Sequence, residues 1–228
     1  MASNSSVNRH LARRTAGALY LLVILCGLFA EFFVRSTLLV SDDPAATAAR
    51  VVASEQLFRL GFLADLIAAA AYLGVSFLLF LILRRVSEPL AMLSLVLGSA
   101  GSVVMAANLV NLFAPLAAIK LSAVAGADGL AMQTLFSLRL HRIGYNISAV
   151  FFGGHLFTLG LLILRSDFLP RLLGLLLAVA GPAWIVYIAT VILSPPASNY
   201  LFPYVPLLSL IAEGALALWL LLGRVPRP

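Results

Sequence analysis

Six apolar segments, each long enough to cross a lipid bilayer, dominate this sequence. A membrane-spanning helix needs about 20 residues, because each residue adds about 1.5 Å along the helix axis. Six such crossings within 228 residues leave no room for a separate soluble domain. We therefore predict an all-α, integral membrane bundle that forms a single polytopic domain over residues 1–228. The six predicted spans lie near residues 15–34, 60–83, 90–119, 143–164, 172–193 and 204–222.

The composition agrees with a membrane location. Hydrophobic residues make up 62% of the chain and charged residues only 11%, whereas roughly a quarter of a soluble domain is charged. The single cysteine, Cys26, lies within the first predicted span and allows no intramolecular disulfide. The net charge of +6 does not predict nucleic-acid binding, because the basic residues gather in short segments on one side of the predicted bundle. These residues are Arg9, Arg13, Arg14, Arg84, Arg85, Arg165, Arg171, Arg224 and Arg227.

This one-sided distribution of arginines predicts the topology. Short loops rich in Lys and Arg stay in the cytoplasm, so both termini and the two tight turns of the bundle are predicted to be cytoplasmic. The basic leader and the first apolar run also resemble a signal peptide. No small residue stands three positions before a candidate cleavage site near Glu31, so we interpret the run as a retained signal anchor.

The segments predicted on the outer side are longer than a turn requires. Ser41-Asp42-Asp43-Pro44 signals a helix start, and residues 45–56 favour a short surface helix. Asp128-Gly129 is interpreted as the start of a second such helix, which leads into span four with apolar residues at helical spacing. Both are predicted to be interfacial helices on the outer leaflet. The segment 194–203 is predicted to be a stiff, proline-rich loop.

A short internal similarity links the two halves of the chain. Leu81-Ile82-Leu83-Arg84, followed by Pro89, resembles Leu162-Ile163-Leu164-Arg165, followed by Pro170. Both copies run in the same direction in the predicted topology, as in a parallel repeat. The similarity is too short to decide whether a duplication produced it.

Polar side chains inside the predicted spans gather in the outer half of the bundle. Charged groups at membrane depth are costly and almost always face the bundle interior or a wet cavity. We therefore predict a polar pocket open to the outer side, above an inner half that is nearly pure hydrocarbon apart from His155. The candidate ligand-binding residues are Glu31, Arg35, Arg59, Asp65, Asn108, Asn111, His141, Arg142, Tyr145, Asn146, Trp184, Tyr187 and Glu213.

Some members of this set also have a purely structural explanation. Glu31 and Arg35 are four residues apart and can form an ion pair on one helix. Asp65 is expected to pair with Arg59 or Arg142. Asparagines in a span, such as Asn108 and Asn111, commonly form hydrogen bonds between helices.

Glu213 is harder to explain structurally, because it lies near mid-membrane with no basic residue in its own span. A lone buried carboxylate takes up a proton rather than stay charged, so Glu213 is either protonated or partnered by another helix. Zinc is one candidate partner, since it takes at least three ligands from His, Cys, Asp or Glu. Glu31, Asp65, His141 and Glu213 are the candidate zinc ligands, although no local ligand motif supports them and no cofactor is predicted.

Several motifs together resemble one bacterial family. These motifs are Ala30–Arg35 (AEFFVR), His141-x-x-x-Tyr145, Phe151–His155 (FFGGH), Ser166–Gly174 (SDFLPRLLG) and Glu213–Trp219 (EGALALW). Over nearly its whole length the chain resembles the multi-pass membrane family catalogued as domain of unknown function 4386. The resemblance implies about six spans in a bacterial inner membrane, with both termini cytoplasmic in the predicted topology. It implies no reaction.

Three functions are compatible with these features. The leading hypothesis is a non-catalytic protein that binds a membrane lipid or small amphiphile in the outer pocket. The first alternative is a metal-dependent intramembrane hydrolase, in which zinc would activate water to cleave a lipid. The second is a small transporter or channel with Glu213 and Asp65 as a proton path, for which the inner half offers only His155, Thr158 and Tyr72. The sequence is compatible with a homo-oligomer and does not identify any protein partner.

Overall fold

The computed structural model describes the backbone of residues 2–40, 43–119 and 122–223 and the side chains of residues 10–40, 43–118 and 129–223. Within these ranges the chain is almost entirely helical and contains no strand, which confirms the all-α prediction. Six helices are long and apolar enough to cross a membrane. The orientation of the termini stays a prediction.

The helices follow one another with short connections. In chain order they are α1 (Ala2–Leu28), a π-helical segment (Phe29–Arg35), α2 (Ser36–Leu38), α3 (Pro44–Ala53), α4 (Glu55–Leu83), α5 (Glu88–Ile119), α6 (Ser122–Leu164), α7 (Arg171–Leu193), α8 (Pro195–Leu201) and α9 (Tyr204–Leu222). The candidate spans are α4, α5, α6, α7, α9 and the continuous helix that α1, the π-helical segment and α2 form together. All six predicted spans are therefore present. Several are longer than predicted, because a run of apolar residues marks only the part of a helix that lies in hydrocarbon.

Helix α3 begins where the sequence predicts it. The side chain of Asp43 accepts a hydrogen bond from the backbone N–H of Ala46 at 2.8 Å, and Pro44 occupies the first helical position. Proline is suited to that position because its missing N–H would have no partner there. Ser41 and Asp42, also part of the predicted signal, lie outside the described residues.

Two other predictions about the outer segments are wrong. Asp128-Gly129 does not start a helix but lies inside α6, which begins at Ser122 and continues directly into the span, because no proline interrupts it. The segment predicted to be a proline-rich loop contains helix α8 instead. Pro195 and Pro196 occupy its first two positions, where backbone N–H groups have no intrahelical partner. Whether α3 and the start of α6 lie at the membrane interface stays a prediction.

The six spans form a closed ring. Helix α1 packs against α4, α4 against α5, α5 against α6, α6 against α7, and α7 against α9, which returns to α1. Glycines allow the closest approach, as predicted for Gly153: it and Gly181 place the backbones of α6 and α7 in contact, as do Gly160 and Gly174. A Cβ atom at Gly153 would lie 2.8 Å from the carbonyl oxygen of Gly181. Small residues at these positions therefore fix the spacing of α6 and α7.

The two ends of the ring are named from the predicted topology. The inner end carries the turns between α4 and α5 and between α6 and α7, and the outer end carries α3 and α8. A large apolar core fills the ring toward the inner end. Its fully buried side chains include Val75, Leu156, Leu159, Ile163, Leu177, Leu216 and Leu220. Since lipid tails are as apolar as these residues, the core is held together by close van der Waals packing.

A second, smaller core lies toward the outer end and packs α3 over the neighbouring spans. Its buried members are Val34, Leu38, Val51, Phe58, Leu109, Leu112 and Leu116. It ties α3 to α4, α5 and the end of the first span, and Leu138 of α6 also packs against it. Helix α3 itself packs against α6. The candidate site lies between these two cores.

Candidate functional site

The outer half of the ring contains an ionic cluster centred on Arg35. Its Nε lies 2.7 Å from Oε2 of Glu31, and its Nη1 lies 2.5 Å from Oδ2 of Asp65. The predicted Glu31–Arg35 pair is thus confirmed. Asp65 is only 4% exposed, so its charge depends on this one guanidinium.

The predicted partner of Asp65 is wrong. Asp65 pairs with Arg35 rather than with Arg59 or Arg142. Arg59 instead lies 2.5 Å from Glu55, one turn before it on α4, in an exposed pair. The sequence could not show this, because the partner is set by which helices adjoin, and the first span adjoins α4.

Both Glu31 and Arg35 belong to the π-helical segment. The backbone N–H of Ser36 donates to the carbonyl of Glu31, five residues earlier, as a π-helix requires. Segments of this kind are rare and are often found at functional sites. The stretch from Phe29 to Arg35 contains no proline or glycine that would indicate a π-helix. The sequence therefore does not predict this segment.

Asn108, Asn111 and His141 join α5 to α6. The Nδ2 of Asn108 donates to the carbonyl oxygen of His141 at 2.8 Å and lies 3.1 Å from its ring Nδ1. Asn111 donates to Oδ1 of Asn108 at 3.1 Å, which confirms that the two amides share one face. Gly144 packs directly on the Asn108 amide, which leaves no room for a larger residue. These three side chains therefore join α5 and α6 through hydrogen bonds.

An aromatic wall runs along α6, α7 and α8 in the outer half. The ring centroids of Tyr145 and Trp184 are 6.5 Å apart, those of Trp184 and Tyr187 are 5.7 Å apart, and those of Tyr187 and Phe202 are 6.2 Å apart. The indole Nε1 of Trp184 donates to Oγ of Ser209 at 2.5 Å, which links α7 to α9. Phe202 and Ser209 were not among the predicted residues.

Tyr145 faces the interior of the ring. Tyr145 lies one helical turn from the buried His141 and Ser148, on the same face of α6. Yet Tyr145 is 41% exposed. We call the region of the Arg35 cluster and the aromatic wall the outer pocket, and that it is an open cavity stays a prediction.

A second polar network lies deeper, where the sequence predicts almost pure hydrocarbon. Tyr20 donates to Oε2 of Glu213 at 2.7 Å, and its hydroxyl oxygen lies 3.5 Å from that of Tyr72. The ring of Tyr72 packs against the ring of His155 with 5.6 Å between centroids. Nδ1 of His155 lies 2.8 Å from the backbone oxygen of Ser94. The network thus crosses five of the six spans, and the prediction for the inner half is wrong in this respect.

The positions of Glu213 and His155 along their helices could have predicted part of this network. Glu213 and His155 each lie nine residues before the inner ends of their helices, Leu222 and Leu164. At about 1.5 Å per residue both lie about 14 Å from that end. Equal depth in two helices of the same predicted direction favours a shared polar layer, although it does not identify the tyrosines between them.

Two buried atoms in this layer have no hydrogen-bond partner among the described residues. They are Nε2 of His155, which is fully buried, and Oγ of Ser76, which is 1% exposed. Gly98 separates them: a Cβ atom there would lie 2.5 Å from Ser76 Oγ and 2.8 Å from His155 Nδ1. Glycine is therefore required for α5 to approach this layer.

The remaining predicted residues are Arg142, Asn146 and Arg59. Arg142 is exposed on α6. Asn146 is half-buried on the same helix. The guanidinium of Arg59 lies over the ring of Phe113, 5.7 Å from its centroid. Arg59 therefore belongs to the outer surface of α4 rather than to the pocket.

The described part of the chain does not form a metal site. No three His, Cys, Asp or Glu side chains within it lie close enough to share a metal ion. Glu31 and Asp65 bind Arg35, whereas Glu213 binds Tyr20. The convergence of Glu31, Asp65, His141 and Glu213 that a zinc hydrolase requires is therefore not found.

A separate cavity of about 350 Å³ lies between α3 and the first described side chains of α6. Its lining is apolar and offers no side chain for acid–base chemistry. The lining residues are Ala45, Ala48, Ala49, Val52, Ala53, Leu130 and Ala131.

Comparison with known families identifies the chain. The family described as domain of unknown function (DUF4386) matches residues 15–223, and the protein belongs to that family, as its motifs indicated. No curated protein and no solved structure matches the chain significantly. The match extends across all six spans, so the ring as a whole is the family's domain.

Proposed function

We propose that this member of the DUF4386 family binds a membrane lipid or another small amphiphile in the outer pocket, without catalysing a reaction. The observation that carries the proposal is Tyr145, which faces the ring interior and is still 41% exposed. The pocket combines charged groups with an aromatic wall. Binding sites for small molecules typically pair an apolar lining with a few placed polar groups, and an amphiphile matches both.

The structure supports binding better than transport or hydrolysis. Below His155 the hydroxyl of Thr158 donates to backbone oxygens of its own helix, and the surrounding side chains are apolar and tightly buried, including Leu159 and Ile163 at 0% exposure. A transporter needs a polar route through this region. A zinc hydrolase needs three ligands, which the described residues do not bring together.

The proposal includes a location and an orientation. We place the protein in a bacterial inner membrane with both termini cytoplasmic, so that the pocket opens to the outer side. In a Cys26→Ser background, a membrane-impermeant maleimide applied to spheroplasts should label Ser194→Cys, at the start of α8, and leave Ser87→Cys, before α5, unlabelled. The reverse labelling pattern would invert the orientation.

Native mass spectrometry of the full chain, released from its own membranes in a mild detergent, tests the binding itself. We expect the wild-type protein to retain a mass of lipid size, and Tyr145→Ala to lose most of it. Ile147→Ala is the matched control, because Ile147 is 51% exposed on the same helix but points about 200° away, toward lipid. Equal retention by both variants, or none by the wild type, would contradict the proposal.

A further inference from the structure

We propose that the ligand of the outer pocket carries a positive charge, as an amine or quaternary ammonium group, which Glu213 neutralises and the rings of Tyr145 and Trp184 enclose. This inference rests on the proposed function, because it names the chemical class of the ligand that the same pocket takes. Three observations on charge, position and ring chemistry lead to it.

The first observation concerns the balance of charge around the pocket. Arg35 is shared by two carboxylates, Glu31 and Asp65, so this cluster carries an excess negative charge. Glu213 adds a further carboxyl, whose described partner is the neutral hydroxyl of Tyr20. Among the described residues, no basic side chain lies within ion-pair distance of Glu213. Ionisable groups within spans often serve as counter-ions to a ligand, and Glu213 lacks one of its own.

The second observation places Glu213 beside the aromatic wall. Trp184 donates to Ser209, which lies one helical turn before Glu213 on the same face of α9. The ring of Tyr145 lies 6.5 Å from that of Trp184 between centroids. Glu213 itself is only partly buried. We therefore place the ammonium group among Tyr145, Trp184 and Glu213, with the carboxyl on the inner side.

The third observation is the chemistry of that wall. The faces of tyrosine and tryptophan rings carry negative potential and attract cations, and quaternary ammonium groups are commonly bound in such aromatic surroundings. A carboxyl beneath them adds to the attraction. An anionic headgroup would instead meet the excess negative charge, because Arg35 is already bonded to two carboxylates. Arg142 does not change this balance around Glu213, since its side chain is exposed on α6.

Three probes with the same eight-carbon chain test the charge preference. Octyltrimethylammonium, octyl sulfate and octanol are titrated calorimetrically into the full-length protein in a non-ionic detergent. We expect the ammonium compound to bind at least about tenfold more tightly than the other two, which is the effect of one well-placed charge. Equal affinity for the three probes, or a preference for the sulfate, would overturn the inference.

Variants then assign the preference to the named side chains. Glu213→Gln should reduce the preference for the ammonium probe about tenfold, whereas Glu88→Gln, exposed at the inner end, should leave it unchanged. Tyr145→Leu should weaken ammonium binding about three- to tenfold without altering any charge, so the test survives if Glu213→Gln does not fold. A preference that persists in both pocket variants would exclude this site.

The outcome also separates this inference from the proposed function. If the protein retains a lipid-sized mass that depends on Tyr145 but the ammonium probe neither binds preferentially nor displaces it, only the charge of the ligand is wrong. If no lipid is retained and no probe binds, both proposals fail.

Discussion

The inner and outer halves of the bundle are built from the same helices but treat their polar side chains differently. In the inner half the few polar groups are enclosed by protein: Tyr20 and His155 are fully buried. In the outer half Arg35 is shared between helices, and Tyr145 stays 41% exposed although it faces the ring interior. Composition alone does not separate a filled half from an open one. The burial of individual side chains does.

The size of the residues between the helices also differs between the two halves. Toward the inner end, Gly160 and Gly174 allow the backbones of α6 and α7 to touch. Toward the outer end, the bulky rings of Trp184 and Tyr187 stand along α7. The π-helical segment of the first span carries Arg35, which pairs with Asp65. Backbone contact thus closes the inner end, and the bulky and charged side chains above it are those that would line the proposed pocket.

The largest expected effect comes from removing the shared cation of the outer half. Arg35→Leu leaves Asp65, 4% exposed, without its partner, and breaking a buried pair in this way costs about 3–5 kcal/mol. Arg59→Leu, the control, breaks the exposed pair with Glu55 and should cost about 0–1 kcal/mol. Unfolding of the purified proteins in mixed micelles measures both. Similar losses of stability in the two variants would contradict the stabilisation of Asp65 by Arg35.

The next largest effect tests how closely α6 and α7 pack toward the inner end. In Gly160→Ala the new methyl group would meet the backbone of α7, including the carbonyl oxygen of Gly174 at 2.7 Å, so we expect a loss of about 1–3 kcal/mol. Gly214→Ala is the control, because nothing lies within 4 Å of its Cβ position. Thermal stability monitored by size-exclusion chromatography distinguishes the two. A tolerated Gly160→Ala would contradict the backbone contact between α6 and α7.

Two substitutions in the polar layer should change stability in opposite directions. His155→Leu removes the side-chain hydrogen bond to the backbone oxygen of Ser94, which costs about 1 kcal/mol. Ser76→Ala removes a hydroxyl that has no partner among the described residues, so stability should stay the same or rise. The same unfolding assay measures both. A clear loss from Ser76→Ala would show that this hydroxyl has a partner after all.

The smallest expected effect lies where the two halves meet. Tyr20→Phe removes the hydroxyl that donates to Glu213 and should cost about 1 kcal/mol. The infrared carboxyl band of Glu213, identified by its loss in Glu213→Gln, should shift in Tyr20→Phe. An unshifted band would place the hydroxyl elsewhere.

Features that depend on local spacing could be predicted from the sequence. The six spans follow from the lengths of apolar runs, and Asp43 with Pro44 marks the start of α3. The Glu31–Arg35 pair and the shared face of Asn108 and Asn111 follow from four- and three-residue separations on a helix.

Features that depend on which helices adjoin could not be predicted in this way. The partner of Asp65 and the layer that links Tyr20, Tyr72 and His155 join side chains from different spans. Their sequence separations carry no periodic signal. The predicted loop at Pro195 differs from the structure for another reason: proline is suited to the first turn of a helix, so a proline-rich segment does not exclude one.

Thiol accessibility tests the contrast between the two halves most directly. In a Cys26→Ser background, Tyr145→Cys and Ile147→Cys would be exposed to a membrane-impermeant maleimide from the outer side, with Leu156→Cys marking the closed inner half. We expect only Tyr145→Cys to be labelled, because maleimides react with a hydrated thiolate. Ile147 is 51% exposed, but we expect it to face lipid. Octyltrimethylammonium should protect Tyr145→Cys from the reagent. An unlabelled Tyr145→Cys, or equal labelling of all three variants, would contradict an open outer pocket above a closed core.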